Sequence, residues 1–139
     1  MINSISIENI DEFNNLGIQV NNNFTNVFNL EDILKSDIDK IYGYYDNNKL
    51  VGFIHISKLY EVMDIINIVV DKEYRNKGIG TKLLNYVVDN YKDINSIMLE
   101  VNENNNNAID FYKKNDFKII NTRKNYYKDG NALIMERDV

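Results

Sequence analysis

The segment Arg75-Asn76-Lys77-Gly78-Ile79-Gly80 combines glycines with basic residues, directly before an apolar pattern at helical spacing. A helix that begins there presents unpaired backbone N–H groups and the positive end of its dipole. Glycines let an anionic group approach the main chain without meeting a Cβ atom, and phosphate is the typical ligand of such a helix terminus. Arg75, Lys77 and Lys82 also concentrate positive charge in a chain whose formal net charge is -5. The segment therefore predicts a site for a polyanion.

The spacing of this segment differs from two other phosphate-binding patterns. A P-loop requires lysine directly after its second glycine, where this chain has Thr81. The dinucleotide fingerprint requires a third glycine, and Leu83 occupies that position. For the two glycines taken alone, a tight turn that only starts a helix is an equally good interpretation.

Two other residues have side chains suited to moving protons. Glu100 lies on the polar face of an alternating pattern, Ile97 to Val101, that predicts a strand. Tyr112 follows twelve residues later, in a pattern that predicts a helix. A carboxylate accepts a proton and a phenol donates one. A solvated glutamate and a core tyrosine whose hydroxyl reaches water are the alternative interpretations.

Composition limits the classes of function. The 139 residues predict a single domain over residues 1–139, and the absence of cysteine excludes disulfides, thiolate metal sites and a cysteine nucleophile. His55, the single histidine, has no cluster of further ligands around it in the sequence, so no metal site is predicted. A net charge of -5 argues against nucleic-acid binding, and no apolar stretch approaches membrane-spanning length. We therefore expect a soluble cytoplasmic protein, as a monomer or a homodimer.

The pattern along the chain predicts a sheet with interspersed helices. Alternation and β-branched residues predict strands over Ile2 to Ile7, Ile41 to Tyr45, Leu50 to Leu59, Met63 to Val70, Ile97 to Val101, Phe117 to Ile120 and Ala132 to Met135. Helical spacing predicts helices over Asp11 to Leu16, over Leu30 to Leu34 with Asn29 as its cap, from Ile79 to Val88, and from Ala108 to Lys114. The asparagine runs are interpreted as loops.

The motif Arg75-x-x-Gly78-x-Gly80 resembles the Arg/Gln-x-x-Gly-x-Gly/Ala element of the GNAT acetyltransferase superfamily. The likeness is strongest from Asn67 to Leu84, and it extends through Leu99-Glu100-Val101, the Asn105 to Tyr112 helix and Arg123 to Met135. Within the superfamily it is greatest to the bacterial ribosomal-protein-alanine N-acetyltransferases. The resemblance implies a layered α/β/α fold of the α+β class. Its central sheet would be mixed, mostly antiparallel and of six or seven strands, with about four flanking helices.

The resemblance also implies an acetyl-CoA-dependent N-acetyltransferase, in which a primary amine attacks the bound thioester directly. Its implied base is Glu100 and its implied acid is Tyr112, while Tyr126 and Tyr127 border the acceptor. No metal is implied. The implied contacts to the cosubstrate are Ile68, Val69 and Val70 along the thioester and pantetheine, Arg75, Asn76, Lys77, Gly78, Ile79, Gly80 and Thr81 at the pyrophosphate, and Asn105.

The identity of the acceptor is less determined than the chemistry. The resemblance implies the N-terminal alanine of a ribosomal protein, but residues 22–34 lack the Pro-Trp that often begins the acceptor-side loop of that subfamily. A small amine, such as a polyamine, an aminoglycoside or an amino acid, is the alternative acceptor. A non-catalytic acyl-CoA-binding module is the alternative of a different class. Asp116 also stands where the family commonly has glycine, which predicts a left-handed cap at Asn115 instead.

Overall fold

A seven-stranded mixed sheet lies at the centre of the computed structural model, which describes residues 1–139. Its strands are β1 (Ile2–Ser4), β2 (Asp39–Asp46), β3 (Lys49–Leu59), β4 (Val62–Val70), β5 (Ser96–Asn102), β6 (Lys118–Tyr127) and β7 (Gly130–Asp138). Their spatial order is β1-β2-β3-β4-β5-β7-β6. Every neighbouring pair is antiparallel except β4 and β5, which are parallel. The prediction of a mixed, mostly antiparallel sheet is confirmed.

Helices cover both faces of this sheet. They are α1 (Ile10–Val20), α2 (Phe24–Val27), α3 (Leu30–Lys35), α4 (Ile79–Asn90) and α5 (Asn106–Lys114). Alternate residues of β3 enter two different hydrophobic clusters: Ile54 and Ile56 pack in the cluster of α4 and α5, and Phe53 packs in the cluster of α1 to α3. Because successive side chains of a strand point to opposite faces, the layers run helix, sheet, helix. The implied α/β/α layering is confirmed, with five helices where about four were expected.

The helix α2 was not predicted from the sequence, which was interpreted there as a loop. Its four residues are too few to show a periodic pattern. Phe24 is only 1% exposed, because its ring packs edge-on against Phe13 at 5.3 Å between centroids. The burial of the Phe24 ring in the core therefore accompanies a short helix that the local sequence pattern does not predict.

Two local predictions were wrong. The first strand ends at Ser4 instead of Ile7, because Ser6 starts a short 3₁₀ helix in which the Asn9 side chain accepts a hydrogen bond from the Ser6 N–H at 3.2 Å. After α5, Asp116 itself adopts the left-handed conformation with a φ of 72°, whereas Asn115 has a φ of -100°. An aspartate tolerates this conformation better than most residues.

The turns follow the predicted chemistry. Asn47 and Asn48 join β2 to β3 with φ values of 49° and 67°, as a two-residue hairpin requires. The Asn29 side chain caps α3 by accepting a hydrogen bond from the Asp32 N–H at 3.0 Å, as predicted. No helix of the chain is both long enough and apolar enough to cross a lipid bilayer.

Candidate active site

The strands β4 and β5 separate partway along their length. Their parallel pairing covers Val62 to Asp64 of β4 and ends at the Asp64–Met98 pair. On its other side β4 stays paired with β3 as far as Val70, with a bulge at Ile66. A bulge bends its strand and changes the face to which the following side chains point. Beyond Asp64, one edge of β4 therefore lines an opening between the two strands, which we call the cleft.

The predicted thioester-binding residues lie on this open stretch of β4. Ile68 and Val70 are half-buried against the cluster of α4 and α5. Val69 points to the opposite face, where it is 1% exposed within the other cluster. Because the side chain of Val69 is part of the core, only its main chain can contact a ligand in the cleft.

The glycine loop (residues 75–81) follows a short 3₁₀ helix, Lys72–Tyr74, that comes after β4, and it includes the first residues of the helix α4. Gly78 is the N-cap of α4 and has a φ of 78°, a conformation that costs glycine little and most other residues more. The first bond of the helical ladder runs from the Lys82 N–H to the Gly78 carbonyl at 3.0 Å. The N–H groups of Ile79, Gly80 and Thr81 therefore precede the ladder and are the free donors expected at a helix start.

The two glycines of this loop differ in what surrounds them. A Cβ atom added to Gly78 would meet nothing within 4 Å, so the main chain there is open to a ligand. A Cβ atom added to Gly80 would lie 3.1 Å from the ring of Phe111 in α5. Gly80 was expected to admit an anion, and the structure adds a packing role, because its missing side chain leaves room for Phe111.

Basic side chains surround the glycine loop, as predicted. The Nε of Arg75 donates a hydrogen bond to the Val70 carbonyl at 3.2 Å, which ties this side chain to the end of β4. The ammonium groups of Lys77 and Lys82 lie over the rings of Tyr74 and Tyr44, at 5.3 and 5.8 Å from the ring centroids. Cations held in this way next to free N–H donors favour a phosphorylated ligand.

Glu100 lies on β5 across the cleft from the open stretch of β4. Ile97, Leu99 and Val101 are buried under α4 and α5, so Glu100 points to the opposite face of the sheet. Its side chain is 33% exposed and pairs with Arg123 of β6, with 3.1 Å between Oε1 and the guanidinium Nη2. Sequence analysis did not assign Arg123 a role, because the pairing joins two strands that are separated by β7 in the sheet.

The two tyrosines predicted to border the acceptor lie at the end of β6. The rings of Tyr126 and Tyr127 are perpendicular, with 5.0 Å between their centroids. Burial, then the negative charge of Glu100, raises the pKa of the Tyr127 hydroxyl. The guanidinium of Arg123, which pairs with Glu100, lies 5.2 Å from the ring centroid of Tyr126. The structure thus brings both tyrosines to the side of the sheet that carries Glu100.

The turn between β6 and β7 is held to the segment that leads into α5. The Glu103 side chain accepts a hydrogen bond from the Asn131 N–H. The side-chain amides of Asn102 and Asn104 donate to Asp129, at 2.8 Å to its carboxylate and 2.7 Å to its carbonyl. These bonds fix the end of β6, and with it the two tyrosines, relative to β5.

Tyr112 lies on α5, as predicted, and Asn105 directly precedes that helix. Asn105 is the N-cap of the helix, where its side-chain oxygen accepts a hydrogen bond from the Ala108 N–H at 3.2 Å. The ring of Tyr112 packs against Phe117 at 5.5 Å between centroids, and its hydroxyl has no hydrogen-bond partner within the protein. Burial raises the pKa of Tyr112 to about 12. Its hydroxyl is therefore protonated at neutral pH and can donate.

His55 forms a separate polar contact on the same face of the sheet as Phe53. Its Nε2 lies 2.7 Å from the Asp39 carboxylate, and the residue is 4% exposed. Burial lowers the pKa of His55 and outweighs the opposing effect of Asp39. A neutral imidazole that donates to Asp39 accounts for this pair as part of the packing between β2 and β3.

Comparisons with known proteins agree with this geometry. The sequence profile of the Acetyltransferase (GNAT) family matches residues 8–117. An N-alpha-acetyltransferase of Saccharolobus solfataricus is 37% identical over 106 residues, which cover 71% of this chain and 64% of that protein. The alanine N-acetyltransferase of ribosomal protein bS18 from Escherichia coli is 32% identical over 95 residues, 64% of each chain.

Solved structures show the same architecture. The crystal structure of the ribosomal-protein-S18-alanine N-acetyltransferase from Escherichia coli superposes with a TM-score of 0.85 at 22% identity, covering 100% of this chain and 93% of the other. A putative streptothricin acetyltransferase of Bacillus anthracis, in complex with acetyl coenzyme A, gives a TM-score of 0.75 at 27% identity, covering 84% and 72%. The matched part of this chain spans between 26% and 64% of the length of its curated relatives.

Proposed function

This chain belongs to the Acetyltransferase (GNAT) family, and from that membership we propose that it transfers the acetyl group of acetyl-CoA to a primary amine. Residues 1–139 are proposed to form one catalytic domain. A single observation carries it: the open edge of β4 leads into the free N–H groups of α4 on one side and faces Glu100 on the other. An acyl group and its phosphorylated carrier would fit along this path.

The cosubstrate is proposed to follow β4 and the glycine loop. Its pyrophosphate would lie against the N–H groups of residues 79–81, where the main chain at Gly78 is open and Lys77 and Arg75 are near. Its pantetheine arm would run along the main chain of Ile68 to Val70. Asn105 keeps its side-chain NH₂ free while its oxygen caps α5, and that NH₂ is the proposed contact.

Starting from an ammonium group, the reaction requires the nitrogen to lose two protons and the sulfur to gain one. Amine acceptors are mostly protonated at neutral pH, since an α-amino group has a pKa of about 7.7 to 8.0 and lysine about 10.4. Glu100 is proposed to take the proton from the amine, directly or through water. The amine nitrogen then bonds to the thioester carbon, and backbone N–H groups of β4 stabilise the oxygen. The nitrogen loses its second proton to solvent as the C–S bond breaks, which leaves a neutral amide. Tyr112 donates its proton to the departing sulfur.

The proposed acceptor is a protein N-terminus, and most specifically the alanine terminus of a ribosomal protein. The names of the Saccharolobus and Escherichia relatives support an α-amino acceptor. The streptothricin acetyltransferase neighbour supports the second candidate, a small amine. Both candidates use the same chemistry and differ only in what contacts the side of the sheet that carries Glu100, Tyr126 and Tyr127.

An acceptor screen tests the proposed function. Purified protein and acetyl-CoA are incubated with peptides that begin Ala-Arg, with the same peptides blocked at the α-amine, with lysine-bearing peptides and with polyamines and aminoglycosides. Mass spectrometry of the products is expected to show one added acetyl group on the free α-amine. Acetylation of the small amines alone would favour the second candidate. A protein that binds acetyl-CoA and acetylates nothing would contradict the enzyme and support a binding module.

Changing Tyr112 to phenylalanine tests the proposed acid. The variant Tyr112→Phe keeps the ring that packs against Phe117 and removes only the hydroxyl. We expect kcat to fall by about 10²-fold, as is typical for loss of a general acid, with the KM for acetyl-CoA little changed. Steady-state kinetics on the best acceptor from the screen measures both parameters.

The matched control is Tyr60→Phe, because Tyr60 is 84% exposed and lies outside the proposed site. Its kinetics should equal those of the wild type. A Tyr112→Phe enzyme with unchanged kcat would show that the sulfur is protonated by water or another group.

A further inference from the structure

Two buried polar atoms on neighbouring strands have no hydrogen-bond partner within the protein. They are Nδ1 of His55 on β3 and Nδ2 of Asn67 on β4. The two residues are direct partners in the antiparallel pairing of these strands, so their side chains lie next to each other on one face of the sheet. Buried polar groups nearly always have a partner, so two adjacent atoms without one need an explanation.

His55 and Asn67 lie on the face of the sheet that carries Glu100. Phe53 and Val69, two residues away on the same two strands, pack in the cluster of α1 to α3. Side chains two residues apart on a strand share a face, so His55 and Asn67 point to the same side. Glu100 points to this side as well, away from α4 and α5.

The strand register places Asn67 across the cleft from Glu100. The pairing of β4 with β5 ends at the Asp64–Met98 pair, and Glu100 is two residues further along β5. Two residues further along β4 is the bulge at Ile66, which Asn67 directly follows. Asn67 therefore belongs to the open stretch of β4, and His55 lies directly behind it on β3.

The hydrogen-bonding roles of the two atoms are complementary. Nε2 of His55 lies 2.7 Å from one carboxylate oxygen of Asp39, whose other oxygen accepts from the Ser36 hydroxyl at 2.6 Å. An ionised carboxylate only accepts, so Nε2 carries the proton and Nδ1 of the neutral ring presents a lone pair. Burial lowers the pKa of His55, which favours this neutral ring. Nδ2 of Asn67 is a donor, so one acceptor and one donor lie side by side.

The cleft is the side from which this pair of atoms can be reached. His55 is 4% exposed, and the ring of Phe28 packs edge-on against it with 6.0 Å between ring centroids. Asn67 is only half-buried and lies beyond the point where β4 leaves β5. A ligand group that contacts both atoms must therefore enter from the cleft, beside the side chain of Asn67.

We propose that His55 and Asn67 bind one hydroxyl group of the acceptor, carried on the carbon next to the one that bears the amine. This inference rests on the proposed function, because it concerns the acceptor of the same reaction. A hydroxyl donates its hydrogen to Nδ1 and accepts a hydrogen bond from Nδ2. A methyl group at the same place leaves both atoms without a partner.

The site selects a class of acceptor within the proposed function. An alanine terminus remains an acceptor, and a serine terminus is a better one. Among small amines, an amino alcohol is better than an alkylamine. A water molecule makes the same two hydrogen bonds and is the competing source of the hydroxyl, so the experiment has to distinguish water from the acceptor.

Acceptor pairs that differ only in a hydroxyl test the proposal on the wild-type protein. The pairs are a peptide beginning Ser-Arg against one beginning Ala-Arg, and ethanolamine against ethylamine. We expect kcat/KM to be about 10-fold higher for the hydroxylated member of the pair that is acetylated, the size of one net hydrogen bond. Equal kcat/KM values within that pair would overturn the proposal and assign the site to a water molecule.

Two variants remove the donor and the acceptor of the site separately. Asn67→Leu removes Nδ2, and His55→Phe removes Nδ1 while it keeps a ring against Phe28. Each is expected to abolish the preference for serine over alanine. A general loss of turnover cancels in this comparison, because both peptides meet the same enzyme. The control Asn85→Leu, at an exposed position of α4, should keep the preference. An unchanged preference in both site variants would overturn the proposal.

The single histidine of the chain allows a measurement that does not depend on turnover. In protein labelled with ¹⁵N at histidine and mixed with CoA, the Nδ1 resonance belongs to His55 alone and responds to hydrogen bonding at its lone pair. We expect the Ser-Arg peptide or ethanolamine to shift this resonance and the Ala-Arg peptide or ethylamine to leave it in place. That result would support the hydroxyl site even if the protein acetylates nothing and the proposed function fails. Equal effects within each pair, or no effect of any ligand, would overturn it.

Discussion

Replacing Glu100 with glutamine is expected to lower kcat/KM for the amine acceptor by about 10²-fold to 10⁴-fold, the usual contribution of a positioned general base. Glutamine has nearly the same shape as glutamate and cannot accept a proton at neutral pH. The effect should fall mainly on kcat, because glutamine keeps the shape of the side chain and loses only its basicity. Initial rates with saturating acetyl-CoA, across a range of acceptor concentrations, measure the two parameters separately.

The variant Glu8→Gln is the control for Glu100→Gln, because Glu8 is exposed and forms no ion pair. Glu100→Gln also breaks the contact with Arg123, so Arg123→Gln distinguishes loss of that ion pair from loss of the base. Arg123→Gln should retain most of the turnover. If Glu100→Gln keeps wild-type kcat at every pH tested, the proton is taken by another group or by bulk water.

Replacing Gly80 with glutamate should weaken the binding of both CoA and acetyl-CoA by about 100-fold or more, which corresponds to about 2.7 kcal/mol. The new carboxylate would lie in the first turn of α4, where it would repel a pyrophosphate and compete for the free N–H groups. Its Cβ atom would also press on Phe111, 3.1 Å away. Titration calorimetry with the folded variant measures the affinity.

Two companion variants separate the causes of this loss. Gly80→Ala adds the Cβ atom without charge, and we expect at most about a 10-fold loss, from displacement of Phe111. Asn85→Glu adds the same charge to an exposed position further along α4, and its affinity for CoA should equal that of the wild type. Circular dichroism confirms that each variant is folded. Wild-type affinity in Gly80→Glu would mean that the pyrophosphate does not bind at the glycine loop.

Much of the sheet was predictable because its strands carry strong local patterns. β3 and β4 are rich in β-branched residues, and the pair Asn47-Asn48 provides a turn with two left-handed residues. The late strands were predicted too short: β6 extends to Tyr127, although it is an outer strand on which nearly every residue is exposed. A strand of that kind has no buried face to produce alternation, so its length depends on pairing with β7.

The parts of the site also differ in how well the local sequence predicts them. The glycine loop is continuous in sequence, so its motif predicts its place at the start of α4. The ion pair of Glu100 with Arg123 depends on strand order, and the cleft depends on where β4 leaves β5. Pairings of residues far apart in sequence leave no local pattern. The contact of Phe111 with Gly80 was not predicted either, because it joins residues of two different helices.

Glu100 and the residues proposed to surround it lie on an interior strand and on an edge strand of the sheet, respectively. Glu100 belongs to an interior strand, with β4 on one side and β7 on the other, whereas Arg123, Tyr126 and Tyr127 belong to β6, which has a neighbour on one side only. Substitutions in an exposed edge strand disturb few buried neighbours and are tolerated more readily than substitutions in the centre of the sheet. We therefore expect the proposed preference for one amine over another to change more readily by substitution in β6 than the proposed chemistry at Glu100 does.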